Sequence, residues 1–233
     1  MREIPAQEIL ANAWIVIPAW REAQVLGGVI AQLRGICPHI LVVDDGSKDD
    51  TGAVALAAGA TLLTHIVNLG QGAALQTGIE YALRKGAGYI FTFDADGQHA
   101  PESLAVLAAT MDATGADVVL GSRWLGRVES MPALRRLMLR LAVVFTRVHS
   151  GLNLTDTHNG LRLLTRAGAM GIQITQHRMA HASEILAQIG TSRLRYAEAP
   201  VTVRYTEYSL RKGQKLSGMF RVLLDIFYAR WTQ

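Results

Sequence analysis

The chain has 233 residues, half of them apolar, with 23 Lys and Arg against 19 Asp and Glu for a net charge of +4. That composition excludes a wholly disordered chain, and the length suits one domain or two closely packed halves with ample material for a core. The charge is divided: residues 1–122 hold 6 basic and 13 acidic side chains, whereas residues 123–233 hold 17 and 6, a split that points to two jobs within one chain.

Taken in order, the first half alternates short apolar runs with amphipathic stretches. AWIVIP (13–18), HILVVDD (39–45), ATLLTHIV (60–67), GYIFTFDAD (88–96) and DVVLGS (117–122) read as strands. They are near-continuous runs of Val, Ile, Leu and Phe, as strands buried on both faces are. Helices are expected at about 22–35, 50–58, 71–86 and 101–114, with Thr51, Gln71 and Ser103 near their starts and Gly59 and Gly115 near ends. This alternation predicts an α/β fold, a mostly parallel sheet flanked by helices, with ligands at the C-terminal ends of the strands. The second half is less regular. A basic helix is expected over 132–149, a strand over 161–164, a helix over 180–189, two short strands around Pro200 within 194–205, and an apolar helix with basic flanks over 215–231. No Pro/Gly/Ser linker divides the halves, which predicts one domain over 1–233, with 1–122 and 123–233 as its two parts.

Several classes fall away. The opening MREIPAQEIL lacks the apolar stretch of a signal peptide, and no run reaches the length of a membrane-crossing helix, so a soluble or peripheral chain is expected. Cys37 is the only cysteine, which excludes an intrachain disulfide and a Cys-based zinc site. His177 and His181 are spaced i, i+4, but HRMAHASE lacks the order of a metalloprotease helix, and zinc is not expected. The basic half needs an anionic partner; with few aromatics among its cations and no nucleic-acid motif, nucleic acid is not expected.

Four strand ends carry polar clusters. They are IPAWRE with Pro18, Trp20 and Glu22; VVDDGSKDDT with Asp44 and Asp45; NLGQGAALQTG with Asn68, Gly70 and Gly72; and FDADGQH with Asp94, Asp96 and Gln98. FDADGQH is the most informative. Carboxylates at i and i+2 leaving a buried strand are costly unless a cation or hydrogen bonds compensate them. Oxygen donors of this kind suit Mg²⁺ or Mn²⁺ bridged to a diphosphate; the alternative reading of the segment is a turn, where Asp and Gly are common. By itself VVDDGSKDDT is equally a turn that starts a helix, and the NLGQG glycines read first as close loop packing, since they match neither common phosphate-loop pattern.

Together, these segments resemble the nucleotide-sugar half of the inverting family 2 glycosyltransferases of the type A glycosyltransferase fold, in the branch of the dolichyl (polyprenyl) phosphate mannose synthases. The resemblance spans about residues 13–210. It implies that Pro18, Trp20 and Glu22 contact the nucleotide, that Asp44 and Asp45 hold base and ribose, and that Gly70 lies against the donor. It implies that Asp94, Asp96 and Gln98 hold metal and diphosphate, with Ala95 in the same segment against the nucleotide sugar. GSR (121–123) and DTHNGLR (156–162) match two further family segments. Trp20, Arg21 and Gln71 depart from the family, which has Tyr, Asn and Lys there.

On the acceptor side, Arg136, Arg140 and Arg147 fall within about 40° of one another on a helix. Such a basic amphipathic helix suits an anionic membrane surface, or alternatively packs on the core with its charges reaching water. The family resemblance implies that Arg123 clamps a lipid phosphate with Arg135 or Arg136; Arg204 and Lys212 are further candidates. The expected function is therefore metal-dependent transfer of a sugar from a nucleotide-diphosphate sugar to a polyprenyl phosphate, peripheral on the cytoplasmic face of a membrane, with a membrane protein or a second copy as possible partner. Asp96 and Arg123 are the expected catalytic residues, and Asp156 would be the base if the acceptor were instead a hydroxyl of a glycolipid or polysaccharide. A nucleotidyltransferase would need a glycine-rich N-terminal loop that IPAWREAQ lacks. A non-enzymatic nucleotide-binding membrane adaptor would have no use for the acidic strand ends.

Overall fold

The computed structural model describes residues 5–157, 159–176, 180–206 and 208–209. In chain order the elements are α1 (Ala6–Ala11), β1 (Ala13–Ala19), α2 (Leu26–Arg34), β2 (His39–Asp44), α3 (Thr51–Ala57), β3 (Thr61–Thr64), α4 (Gln71–Arg84) and β4 (Tyr89–Thr92). There follow α5 (Ser103–Thr114), β5 (Val118–Glu129), α6 (Ala133–Ser150), β6 (Arg162–Thr165), α7 (Arg166–Met170), α8 (His181–Thr191) and β7 (Tyr196–Arg204). The expected helix over 215–231, with Lys212, lies outside the described residues, as do His158 and His177.

The strands form one sheet in the order β3-β2-β1-β4-β6-β5-β7. All neighbours are parallel except β6, which runs antiparallel to both β4 and β5. Both halves of the sequence therefore share the sheet. Along β1 and β2, Ile15, Ile17, Ile40 and Val42 point into one core layer with α2 and α5. Their neighbours Val16, Leu41 and Val43 point into the other, with α4 and α8. This period-2 division of near-continuous apolar strands makes the three-layer arrangement.

Some boundaries differ from those the sequence predicts. The helix expected from residue 22 starts at Leu26, because the Glu22 backbone N–H donates to Thr51 Oγ1 at 2.8 Å and a turn precedes the helix. The strand expected over 117–122 runs on to Glu129, pairing with β7 through a register shift between Ser122 and Arg127. The two strands expected around Pro200 are one strand. Pro200 is tolerated because β7 is an edge strand, where a missing N–H breaks no second ladder. Pro18 also costs no ladder bond, since the β1–β4 pairing ends at Val16–Thr92. The short helices α1 and α7 were not foreseen; at six and five residues they carry too little periodicity to read.

Candidate active site

The polar clusters gather at the C-terminal ends of β1, β2 and β4, as a parallel sheet dictates. After β1, Trp20 is half-exposed and Arg21 adopts a left-handed φ of 55°. The Arg21 backbone N–H donates to Ser47 Oγ at 2.9 Å, tying this turn to the one after β2. Glu22 is buried and accepts a 2.7 Å hydrogen bond from the Tyr208 hydroxyl. Burial and the adjoining Glu22 carboxylate push the Tyr208 phenol well above its ordinary pKa, so it stays a donor.

Asp44 and Asp45 are both buried but do different things. Asp44 Oδ1 accepts the Ser47 backbone N–H at 3.1 Å, closing the turn. Asp45 organises the glycine loop. Its two oxygens accept the Leu69 and Gly70 backbone N–H groups at 2.9 and 2.7 Å, and Oδ1 lies 2.8 Å from His65 Nδ1. Gly70 has φ 103°, a conformation that glycine adopts without strain. The position aims its N–H back at Asp45 and starts α4.

After β4, Asp94 is held from three sides. Gln71 Nε2 donates to Oδ1 at 2.9 Å, His99 Nε2 lies 3.1 Å from Oδ2, and a side chain at Gly160 would collide with the carboxylate. Burial alone would raise its pKa, but the His99 bond and the charges of His99, Arg162 and His181 outweigh that and hold it below the usual carboxylate value. Asp96 has the opposite balance. Burial and then the Asp94 charge raise its pKa to about 6, against a weaker pull from His99 and the Gln98 N–H. Its oxygens accept the Gln98 backbone N–H at 3.0 Å and Gln98 Nε2 at 2.8 Å. Asp96 is thus a carboxylate whose charge the protein leaves under-compensated, which is the signature of a group that meets a cation. Among the described residues no three His, Cys, Asp or Glu side chains cluster tightly enough to hold a metal by themselves. The residues present fit an open oxygen-donor site that diphosphate and water would complete, the way Mg²⁺ is usually held. Ala95, between the two carboxylates, is buried.

On the other side of β6 lies a second, buried network. Arg123 donates its backbone N–H and its Nε to Asp156 Oδ2 at 3.0 and 2.6 Å, and its Nη1 to the Tyr205 hydroxyl at 2.9 Å. Burial opposes the Arg123 charge, yet Asp156 and Tyr205 more than offset it and raise its pKa. Asp156 Oδ1 accepts the Thr157 N–H at 2.9 Å. Glu198 on β7 holds this loop by accepting the backbone N–H groups of Thr155 and Asp156.

Arg162 sits between the two networks, buried; burial lowers its pKa, against the smaller opposing pull of the Asp94 and Asp156 charges. Among the described residues its Nη1 and the Asn159 Nδ2 have no partner, and both residues line a cavity with Asp156 that has room for about one water.

Of the further arginines, Arg135 lies beside this network, its guanidinium 4.9 Å from the Tyr205 ring centroid, with Nε buried and without a partner among the described residues. Arg136 faces outward on α6. Arg204 pairs with Glu129 at 3.4 Å and is half-exposed. His99, Gln71, Arg162, Tyr205 and Tyr208 carry no role in the sequence reading. His99 and Arg162 lie inside motifs already singled out, whereas the two tyrosines follow β7 with only their i, i+3 spacing as a signal.

Comparison with known proteins identifies the fold and the family. The chain is 32% identical over 231 residues to an uncharacterized protein of Methanocaldococcus jannaschii, covering 97% of this chain and 93% of that one. It is 37% identical over 162 residues to the polyprenol monophosphomannose synthase of Mycolicibacterium smegmatis, covering 65% and 61%. It is 30% identical over 215 residues to the undecaprenyl-phosphate mannosyltransferase of Micrococcus luteus, covering 87% and 86%. The glucosyl-3-phosphoglycerate synthase of Mycobacterium tuberculosis, crystallised with Mn²⁺, UDP and glucosyl-3-phosphoglycerate, superposes with a TM-score of 0.74 at 18% identity, over 97% of this chain and 82% of that one. The fold is thus the type A glycosyltransferase fold. The family model for glycosyl transferase family 2 matches residues 14–169, and with the strand-end carboxylates in place the chain belongs to that family.

Proposed function

We propose that this glycosyltransferase moves a sugar from a nucleotide-diphosphate sugar to the phosphate of a polyprenyl phosphate, peripheral on the cytoplasmic face of a membrane. The observation that carries this reading is the pairing of two unlike sites across one strand. The strands leading to Asp94 and Asp96 and to Arg123 are separated only by β6, a span of roughly 10 Å. An under-compensated carboxylate site faces the donor and a braced guanidinium faces the acceptor. The relatives from Mycolicibacterium smegmatis and Micrococcus luteus, named for polyprenol and undecaprenyl phosphate acceptors, support the acceptor class. Among the described residues no helix is long and apolar enough to cross a membrane.

Asp96, Asp94 and Gln98 would hold Mg²⁺ or Mn²⁺, which when bound draws charge from the leaving diphosphate. Pro18, Trp20, Glu22 and Asp44 line the nucleotide end, and Asp45 acts through Gly70 by holding the glycine loop. Arg123, with Arg135 across Tyr205, orients the acceptor phosphate. A phosphate oxygen attacks the anomeric carbon as the bond to the nucleoside diphosphate breaks, with inversion. Phosphate is already ionised at neutral pH, so no protein base is needed, and positioning and charge supply the catalysis. Asp156 fits a brace rather than a base, because both of its oxygens accept hydrogen bonds in a buried setting.

The test supplies purified protein with Mn²⁺, labelled UDP- or GDP-sugars and a short water-soluble isoprenyl phosphate. A base-labile, phosphate-linked sugar is expected. Label appearing only on a glycolipid hydroxyl would overturn the acceptor assignment.

A further inference from the structure

We infer that the outer face of α6 is the membrane-docking surface, and that it lies on anionic lipid with Leu134, Leu137, Leu141 and Val144 entering the acyl region. The inference rests on the membrane location proposed above, and adds to it the surface that makes the contact.

Three observations carry it. The helix is apolar on two opposite faces. Met138, Leu139, Ala142 and Val143 are buried, and α6 packs there against α8. Leu134, Leu137, Leu141 and Val144 are 55, 55, 54 and 60% exposed. Their spacing of three and four residues places them within about 80° of one another, facing away from the buried side. A continuous exposed stripe of this kind marks an interaction surface, whereas scattered exposed leucines do not.

The second observation is the charge beside the stripe. Arg136, Arg140 and Arg147 are exposed on the adjoining strip of the same helix, and α6 holds four arginines and no Asp or Glu. Apolar side chains bordered by cations are what an anionic interface accepts. The same charge disfavours the other occupants. A second copy docked through this face would set three arginines against three. The segment 210–233 carries five basic residues and one acidic one, so it too would meet like charge.

The third is the anchorage. The Arg140 guanidinium lies 5.3 Å from the Trp124 ring, next to Arg123, and Arg135 lies over Tyr205, which holds Arg123. The helix is therefore fixed beside the guanidinium assigned to the acceptor phosphate, and docking it would bring that group to the level of lipid headgroups.

The experiment is co-sedimentation of the full chain, without donor or metal, with vesicles of phosphatidylcholine alone or mixed with phosphatidylglycerol. Wild type should bind the anionic vesicles and bind neutral ones at least ten-fold more weakly. The double variant Leu137→Ser/Leu141→Ser should keep the wild-type circular dichroism and Tm, lose at least ten-fold in binding to anionic vesicles, and keep wild-type turnover on a short soluble isoprenyl phosphate. Equal binding by the variant, or no binding by wild type, overturns the inference. So does a wild-type dimer that the variant dissolves without any loss of vesicle binding. If vesicle binding responds as stated but isoprenyl phosphate is never glycosylated, the docking surface stands and the acceptor assignment falls.

Discussion

Arg123 and Asp156 meet twice on one oxygen: Asp156 Oδ2 takes both the backbone N–H and the Nε of Arg123, at 3.0 and 2.6 Å. The pair is buried, so its value lies in geometry rather than in Coulomb energy alone. Removing one member should cost more than removing both. Asp156→Ala is expected to lose about 3 kcal/mol, a fall of roughly 6–12 °C in Tm, and to raise the acceptor KM. Arg123→Met/Asp156→Leu should recover part of that stability without recovering activity. Scanning calorimetry on the full mutant cycle checks this; strict additivity would show that the pair is not coupled.

Asp96 gives a prediction with a definite sign. Its folded pKa, about 6, lies above the ordinary 3.8, so the folded protein holds more protons than the unfolded one between those values. Metal-free stability from this group is present below about pH 4 and is lost as pH rises through about 6. Asp96→Asn should therefore stabilise the metal-free protein at pH 8 by about 1 kcal/mol, after allowing for partial solvent screening, and abolish transfer. Thermal unfolding with and without Mn²⁺ checks both parts. Mn²⁺ should raise the wild-type Tm and leave the variant unmoved.

Gly160 has no room for a side chain. A Cβ there would collide with the Asp94 carboxylate, which Gln71 and His99 hold in place. Gly160→Ala is expected to destabilise by about 2 kcal/mol and to cut turnover roughly 10²-fold by displacing Asp94. Steady-state kinetics with a denaturant titration separate the two effects. Unchanged kinetics would show that the position of Asp94 does not matter to donor use.

Tyr208 reaches Glu22 across most of the sequence, at 2.7 Å. Tyr208→Phe keeps the ring and deletes a hydrogen bond to a charged group, worth about 1.5 kcal/mol. That is roughly ten-fold in donor affinity, with the acceptor KM unchanged. Isothermal titration with UDP- and GDP-sugars reads it directly.

Much of the first half was legible because its signals are local. Strands buried on both faces write themselves as apolar runs, and polar residues at their ends fall where a parallel sheet binds ligands. Asp94 and Asp96 could be found that way. The division of labour between Asp44 and Asp45 could not, because it depends on Leu69 and Gly70, more than 20 residues on. Arg162 was hidden differently: it stood in one recognised motif with its near neighbour Asp156, but its other carboxylate neighbour, Asp94, comes from the end of β4, far back in the chain. The length of β5 and the continuity of β7 were missed together, since each strand is long only because the other pairs with it, and a bulge masks their periodicity.

The order of the strands adds a consequence to the divided charge. β3, β2, β1 and β4 come from the acidic half of the sequence, and β6, β7 and most of β5 from the basic half. The two signs are therefore largely separated along the width of one rigid sheet, and the molecule carries an electric dipole. Near a negatively charged surface it experiences a torque as well as an attraction, within a range of about 8 Å at physiological ionic strength. The basic edge turns toward that surface before contact, so encounters become productive by rotation in the field rather than by repeated random collisions. Added salt should slow capture at such a surface much more than it changes donor binding in solution.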